Sequence, residues 1–433
     1  MDKERQKIIR SWKMYDWANS AFATTVMAAV LPEFYSSVAG ATLGKTTATS
    51  YWGYSNMIAM LMIALTAPIL GAIADHSVAK KKFLGLFALV GVLATSLLIC
   101  IGSGMWFYAS LLYIFGRIGF GGGNIFYDSL LPHVARADEI DNVSAGGYAY
   151  GYLGGGILLA INLLMILKPA FFGIPDAEWG SRISFITVGI WWAIFSIPIF
   201  KNVSEPPTII SKDESPNPFL AGYKRVKKTF KDIKKFKELA KFLVAFWIYN
   251  DGVGTIIIMA VIFGAEIGIG RTHLIGAILL VQFLGFPFTL IFGRLPKRIG
   301  TKNSILIALG VYSIIAVLGY FMRAPLHFWL LAVLVSLVQG GTQALSRSMY
   351  GSMSPPSKSA EFFGFYNVSS KFAGIVGPFL FGIVGQLTGT SRISIVAIVL
   401  FFVIGGLVLT TVDHSQGIKA ALCEEEQERI ETG

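Results

Sequence analysis

The chain is poor in charge, thiols and histidine, and each shortage excludes something. Only 14% of its 433 residues are Asp, Glu, Lys or Arg, against about 25% in an ordinary soluble domain. So few ions cannot cover a water-facing surface of this size. With 54% hydrophobic residues and a mean hydropathy of +0.63, the composition is that of a membrane protein. The two cysteines, Cys100 in an apolar run and Cys423 in the polar tail, supply neither a disulfide framework nor a thiolate metal site. The five histidines, at 76, 133, 273, 327 and 414, show no H-E-x-x-H spacing, and no G-x-S-x-G elbow occurs. The run from Gly40 to Thr46 has Ala39 where a phosphate loop needs its first glycine. No enzyme activity, metal or cofactor is expected.

What the chain has is apolar length. A membrane-crossing helix needs about 20 mostly apolar residues, and twelve stretches qualify: 16–38, 51–74, 83–103, 106–131, 144–167, 182–200, 240–266, 271–293, 303–322, 326–350, 361–387 and 392–412. The fold class is therefore all-α membrane protein, with twelve transmembrane helices in two pseudo-symmetric six-helix bundles. The domains read as an N-terminal bundle (1–200), a basic linker (201–239), a C-terminal bundle (240–412) and a tail (413–433). Of the 36 Lys and Arg residues, 27 fall in one set of alternate loops, 6 in the other, and Arg117, Arg347 and Lys371 within spans. This asymmetry puts both termini in the cytoplasm. It also explains the net charge of +11 without a nucleic-acid partner. The first apolar run is too long for a signal-peptide core and is expected to be retained.

The linker stretch from Tyr223 to Lys241 places Val226, Phe230, Ile233, Phe236 and Leu239 at three- and four-residue steps among lysines, the pattern of a basic amphipathic helix lying on an anionic leaflet. The acidic tail, Glu424 to Arg429, reads as solvated and disordered.

Polar residues inside spans are costly unless they face a bundle interior or a wet cavity, and here they recur in register. Asn19 and Thr24 of span 1 match Asn250 and Thr255 of span 7 at an offset of 231, with Ser20 aligned to Asp251. Spans 4 and 10 match at 219, pairing Gly121 with Gly340, Asn124 with Gln343, and Asp128 with Arg347. Such half-chain repeats mark two-bundle transporters. Tyr15, Asp16 and Trp17 also fit an interfacial belt, and the glycines of spans 4 and 5 fit close helix packing.

The loop after span 2, Gly71-Ala72-Ile73-Ala74-Asp75-His76-Ser77-Val78-Ala79-Lys80, and the loop after span 8, Gly293 to Lys302, together resemble the G-x-x-x-D-R-x-G-R-K loop of the major facilitator superfamily. Ala79 replaces the second glycine in the first copy, and Lys297 replaces Asp in the second. The runs from Tyr15 to Ser20, Tyr127 to Pro132, Tyr249 to Gly252, Gln339 to Ser348 and Glu361 to Tyr366 resemble one branch, the autophagy-related vacuolar amino-acid effluxers and their bacterial relatives. The resemblance implies a twelve-helix carrier working by alternating access, with spans 1, 4, 7 and 10 lining its cavity and Asp75 bracing the inward-closed state.

The expected activity is secondary transport of a small molecule, efflux of amino acids or related metabolites, with protons as candidate coupling ion. The protein is expected as a monomer in the cell membrane; export or flipping of a drug or lipid is the alternative, and a channel or non-transporting membrane receptor is the reading from a different class. An amino acid needs a fixed cation for its carboxylate and acceptors for its ammonium. The candidate substrate-binding residues are Asn19, Thr24, Arg117, Asn124, Asn250, Asp251 and Gln343. The candidate coupling or gating residues are Asp75, Asp128, Asp251, Arg347 and Lys371. Arg117 fits equally a structural bridge to a carboxylate, and Asp251 a permanent pair with a basic residue.

Overall fold

The computed structural model describes residues 3–206, 224, 226, 227, 229, 235–372 and 376–432. Among these the regular elements are helices. In the first half, α1 (Lys3–Ala39), α2 (Lys45–His76), α3 (Lys80–Leu97), α4 (Trp106–Ser129), α5 (Ile140–Leu167) and α6 (Ala177–Asn202) follow one another. The second half holds α7 (Lys237–Glu266), α8 (Arg271–Phe292), α9 (Thr301–Tyr320), α10 (Pro325–Ser352), α11 (Ser359–Phe372), α12 (Val376–Thr388), α13 (Ser391–Thr410) and α14 (His414–Thr432). Most of the linker lies outside the described residues, residues 207–223 and 230–234 among them, and the end of the amphipathic run from Tyr223 is taken up by α7, where Phe236 and Leu239 are buried.

Ten of these helices are long and apolar enough to cross a membrane. Two expected spans miss that measure for reasons visible in their residues. The hydropathy of α4 is diluted by Arg117, Asn124, Asp128 and five glycines, and the eleventh stretch is described as two shorter helices, α11 and α12. One side of many helices is apolar and bare: Leu86, Leu89 and Leu93 on α3, Ile190, Ile194 and Ile197 on α6, and Leu400, Ile404 and Leu407 on α13 are all exposed. These three- and four-residue steps make continuous apolar stripes, which hydrocarbon solvates and water does not. The protein is a multi-pass integral membrane protein.

By contact density the chain divides into two units. Unit 1 comprises 1–67, 79–130 and 150–206, and unit 2 comprises 68–78, 131–149 and 207–433. The ends of α2 and α5 thus group with the C-terminal half, α2 changing unit at Pro68 within the helix. Unit 1 is cored by Phe22, Phe34, Tyr113, Phe185 and Trp192. Its α3 and α4 meet glycine to glycine, since a Cβ on Gly119 would lie 2.5 Å from the Gly91 Cα. Unit 2 is cored by Phe242, Tyr249, Tyr312, Leu345, Tyr350 and Phe402. The small residues therefore set helix spacing, as packing in lipid requires.

One expectation is overturned here. The acidic tail forms the helix α14, docked in unit 2 on the turn before α11. Lys358 Nζ reaches Glu424 Oε1 at 2.7 Å and Glu428 Oε1 at 2.6 Å, Glu425 accepts from Ser357 N at 2.9 Å, and His414 Nε2 bonds Ser352 Oγ at 2.8 Å. The glutamates look like a solvated run in sequence because their cation lies 66 positions away. Burial would lower the Lys358 ammonium pKa, but Glu428 and Glu424 beside it hold it above the usual value. Burial likewise disfavours ionised Glu424, and Lys358 and Lys235 outweigh it, holding the carboxyl below the usual range.

Candidate functional site

In unit 1 the polar residues lie along one antiparallel seam between α1 and α4. Asp16 accepts from Tyr127 Oη at 2.7 Å, Asn19 Nδ2 donates to Asn124 Oδ1 at 2.6 Å, and Arg117 Nη1 faces Met27 Sδ at 2.8 Å. As the α1 number rises, the α4 number falls by a nearly equal step. Asn124 and Arg117 are seven residues apart, close to two full turns, so they share a face about 10 Å apart along the axis. Trp12 closes the seam by stacking on Tyr127, ring centres 4.5 Å apart, and donating Nε1 to its carbonyl. Asp16, read in sequence as an interfacial residue, is buried by these contacts.

Arg117 is 8% exposed and finds no carboxylate within ion-pair distance among the described residues. Its Nε has no acceptor, and its one hydrogen-bond partner is a thioether, a weak acceptor. The bridge to a neighbouring carboxylate weighed for Arg117 is not formed among the described residues. One turn earlier, Tyr113 donates its hydroxyl to Asn56 Oδ1 at 2.5 Å, and its ring lies tilted against Trp52 with centres 4.3 Å apart. Thr24 differs from its seam neighbours: its hydroxyl is committed to backbone carbonyls, Gly155 O at 3.2 Å and Ser20 O at 3.1 Å, where α1 crosses α5.

Unit 2 carries the matching residues on α7, α10 and α12. Asp251 is 2% exposed, and both its oxygens accept from Gly377 N at 3.1 Å, in the first described turn of α12. Thr255 donates to the Asp251 carbonyl at 2.7 Å. Asn250 and Gln343 are half-buried. Lys371 belongs to α11, but its side chain lies outside the described residues.

Two further constellations belong to unit 2. Asp75, fully buried, accepts from Ala360 N at 3.2 Å and Glu361 N at 2.8 Å, the first turn of α11. A carboxylate at a helix N-terminus satisfies orphan amides and meets the positive end of the macrodipole. Gly71 makes this approach possible, because any Cβ there would overlap the Ala360 carbonyl. Arg347 donates from Nε to Ser144 Oγ at 3.0 Å and from Nη2 to Ser144 O at 2.9 Å, with its guanidinium 4.3 Å above the Tyr148 ring. Near it, Asp141 accepts from Thr301 Oγ1 at 2.8 Å and from Ser348 Oγ. Asp128 is buried in unit 1 near the end of α4.

Met27, Asn56, Tyr113, Ser144 and Asp141 were not among the residues singled out in sequence. Asp141, an acid opening a long apolar run, carried a usable signal. Met27 and Tyr113 in apolar runs carried none.

The profile described as "Vacuole effluxer Atg22 like" matches residues 4–422. YxiO of Bacillus subtilis, described as an uncharacterized MFS-type transporter, is 39% identical over 414 residues, covering 95% of this chain and 96% of that one. Autophagy-related protein 22 of Yarrowia lipolytica is 22% identical over 85% of this chain and 76% of its own length. Among solved structures, the proton:xylose symporter XylE superposes with a TM-score of 0.71 at 13% identity, covering 97% of this chain and 98% of its own. The human organic anion transporter MFSD10 gives a TM-score of 0.71 at 12% identity, covering 94% and 100%. The doubled loop after α2 and α8, the half-chain repeat of polar residues and a profile match over almost the whole sequence agree: the chain belongs to the Atg22-like effluxer family, membrane transporters of the major facilitator fold.

Proposed function

We propose that the protein exports amino acids or closely related carboxylate-bearing metabolites by alternating access, with Arg117 as the carboxylate-binding cation. One observation carries this reading. A guanidinium buried at membrane depth costs several kcal/mol unless compensated, and among the described residues the one hydrogen-bond partner of Arg117 is a thioether. A ligand carboxylate would supply the missing acceptors bidentately, as a lysine in that place could not. The Asn19–Asn124 pair leaves Asn19 Oδ1 as a nearby acceptor on the same seam. The family description, a vacuole effluxer, supports the direction of transport, and the substrate class rests on Arg117. The test is binding of an equimolar radiolabelled mixture of L-amino acids to purified, folded Arg117→Lys and Arg117→Ala proteins. Both are expected to bind at least tenfold more weakly, and unchanged affinity in both removes Arg117 from the site.

In this reading Asp251 carries the coupling proton. It is a buried carboxylate held by a backbone amide, so a change of protonation there changes a hydrogen bond reaching another helix. Asp251→Asn keeps an acceptor oxygen and cannot ionise. It is expected to retain binding and counterflow while losing accumulation driven by a pH gradient, and full gradient-driven transport would exclude the role. The basic-residue asymmetry supports an orientation with both termini and the 201–239 linker on the cytoplasmic side of the cell membrane. A cysteine at Ser211 that reacts with an impermeant maleimide outside sealed cells would refute that orientation.

A further inference from the structure

The least ordinary stretch of α1 is the one that faces Arg117. From Phe22 to Val30 the helix is π-helical for nine residues, and Met27 lies inside that stretch. π-helices are rare, usually single-turn insertions, and are frequent at functional sites, so nine residues in that form need support from their surroundings. Just before it, Asn19 is fixed to Asn124, in α-helical backbone. A return of 22–30 to α geometry would therefore turn Met27 about the helix axis while Asn19 kept its place. The contact Met27 makes is also weak. A flexible, polarisable thioether stands at Arg117 Nη1, where an anion would be the stronger acceptor, and the Nε of the same guanidinium has no acceptor.

We propose that Met27 is a built-in stand-in for the ligand: the incoming carboxylate displaces its sulfur from Arg117, and the π-helical stretch is the joint that lets it withdraw. The inference rests on the carboxylate-binding reading of Arg117 and adds a specificity residue to it. A solute without an anionic group cannot repay the exchange, so Met27 would exclude neutral molecules of similar shape. Met27 in place also shields the buried guanidinium when no ligand is bound.

The experiment uses the full chain, the same radiolabelled L-amino-acid mixture, and three substitutions. Met27→Leu keeps the bulk and removes the acceptor, and is expected to bind about two- to fivefold more tightly, the range of one weak hydrogen bond. Met27→Glu gives Arg117 a tethered carboxylate that competes with the ligand, and is expected to lose affinity about thirtyfold or more at pH 7. Met27→Gln has the same shape without the charge and should stay within about threefold of the parent. Lowering the pH below the ordinary glutamate range of about 4, since pairing with Arg117 depresses the carboxyl, should begin to restore binding to Met27→Glu alone, a change that a misfolded or merely strained variant would not show. If Arg117→Lys and Arg117→Ala bind normally, the substrate reading falls. If they lose binding while Met27→Glu binds as well as Met27→Gln at pH 7, the displacement is overturned and the reading stands.

Discussion

At one step of the internal repeat the two units meet the same packing problem with different chemistry. In unit 1, Thr24 of α1 fits against Gly155 of α5 and donates to its carbonyl. In unit 2, Thr255 of α7 fits against Gly377 of α12, where a Cβ would strike the Thr255 hydroxyl. There the bond across the crossing runs the other way, from the Gly377 amide to the carboxylate of Asp251. The residue aligned with Asp251 is Ser20, which lies against Gly151. The small-residue frame is shared, and an ionisable group was set into one copy only. Gly155 lies inside the unbroken helix α5, where its amide serves the helix, whereas Gly377 is in the first described turn of α12 and its amide reaches a side chain. A carboxylate is tolerated where a backbone donor is available to it.

The severest way to break this comparison is to add the missing charge to unit 1. Ser20→Asp would put a carboxylate beside α5 with no amide to receive it, and is expected to cost about 3 kcal/mol or more, read as a large fall in melting temperature in detergent. A variant as stable as the parent would mean that donor supply does not decide where the acid sits. Next, Gly377→Ala and Gly155→Ala should differ. The first pushes a methyl into both Thr255 and the carboxylate, for about 2–3 kcal/mol, while the second meets Thr24 and helix backbone at 2.9–3.1 Å, for about 1–2 kcal/mol. Equal losses would remove the distinction. Asn19→Ala strands the Asn124 acceptor at a cost of about 1–2 kcal/mol, whereas Asn250→Ala breaks no side-chain bond among the described residues and should stay within about 0.5 kcal/mol. The smallest effect concerns the tail clip, which unit 2 alone possesses. Glu424 titrates below its ordinary value of 4.5 and Lys358 above its ordinary 10.5, so the clip is complete between those values and is lost as pH falls through the depressed glutamate or rises through the raised lysine. Lys358 keeps Glu428 as a partner and a glutamine at 424 still accepts, so Glu424→Gln should cost about 1 kcal/mol at pH 7, a cost that shrinks as pH falls through the depressed glutamate.

The helices were legible because apolar length is a local property: ten of the twelve expected spans are single helices with the required length and hydropathy. α4 was legible despite its glycines and charges because its polar residues repeat in α10. The candidate site stood out in sequence in proportion to its departure from lipid chemistry. Asn19, Arg117, Asn124 and Asp251 are polar where hydrocarbon is expected, and Asn19 meets Asn124 across 105 positions. Met27 could not be seen this way, being one apolar residue among many, with a role that depends on backbone geometry. The tail failed for a related reason. A run of glutamates has one meaning in water and another beside Lys358, and nothing local says which applies.

Asp75 and its partners also bear on assembly. The amides it binds belong to residues 285 and 286 positions further along the chain, an interval that takes a ribosome about 15–60 s at ordinary elongation rates. For that time the end of α2 holds a carboxylate whose two amide donors have yet to be synthesised. Pinning that end to α11 must therefore be among the last steps of biogenesis. A chain halted before α11 carries every early helix and still lacks this latch, so burial of Asp75 would report that synthesis has passed the start of α11.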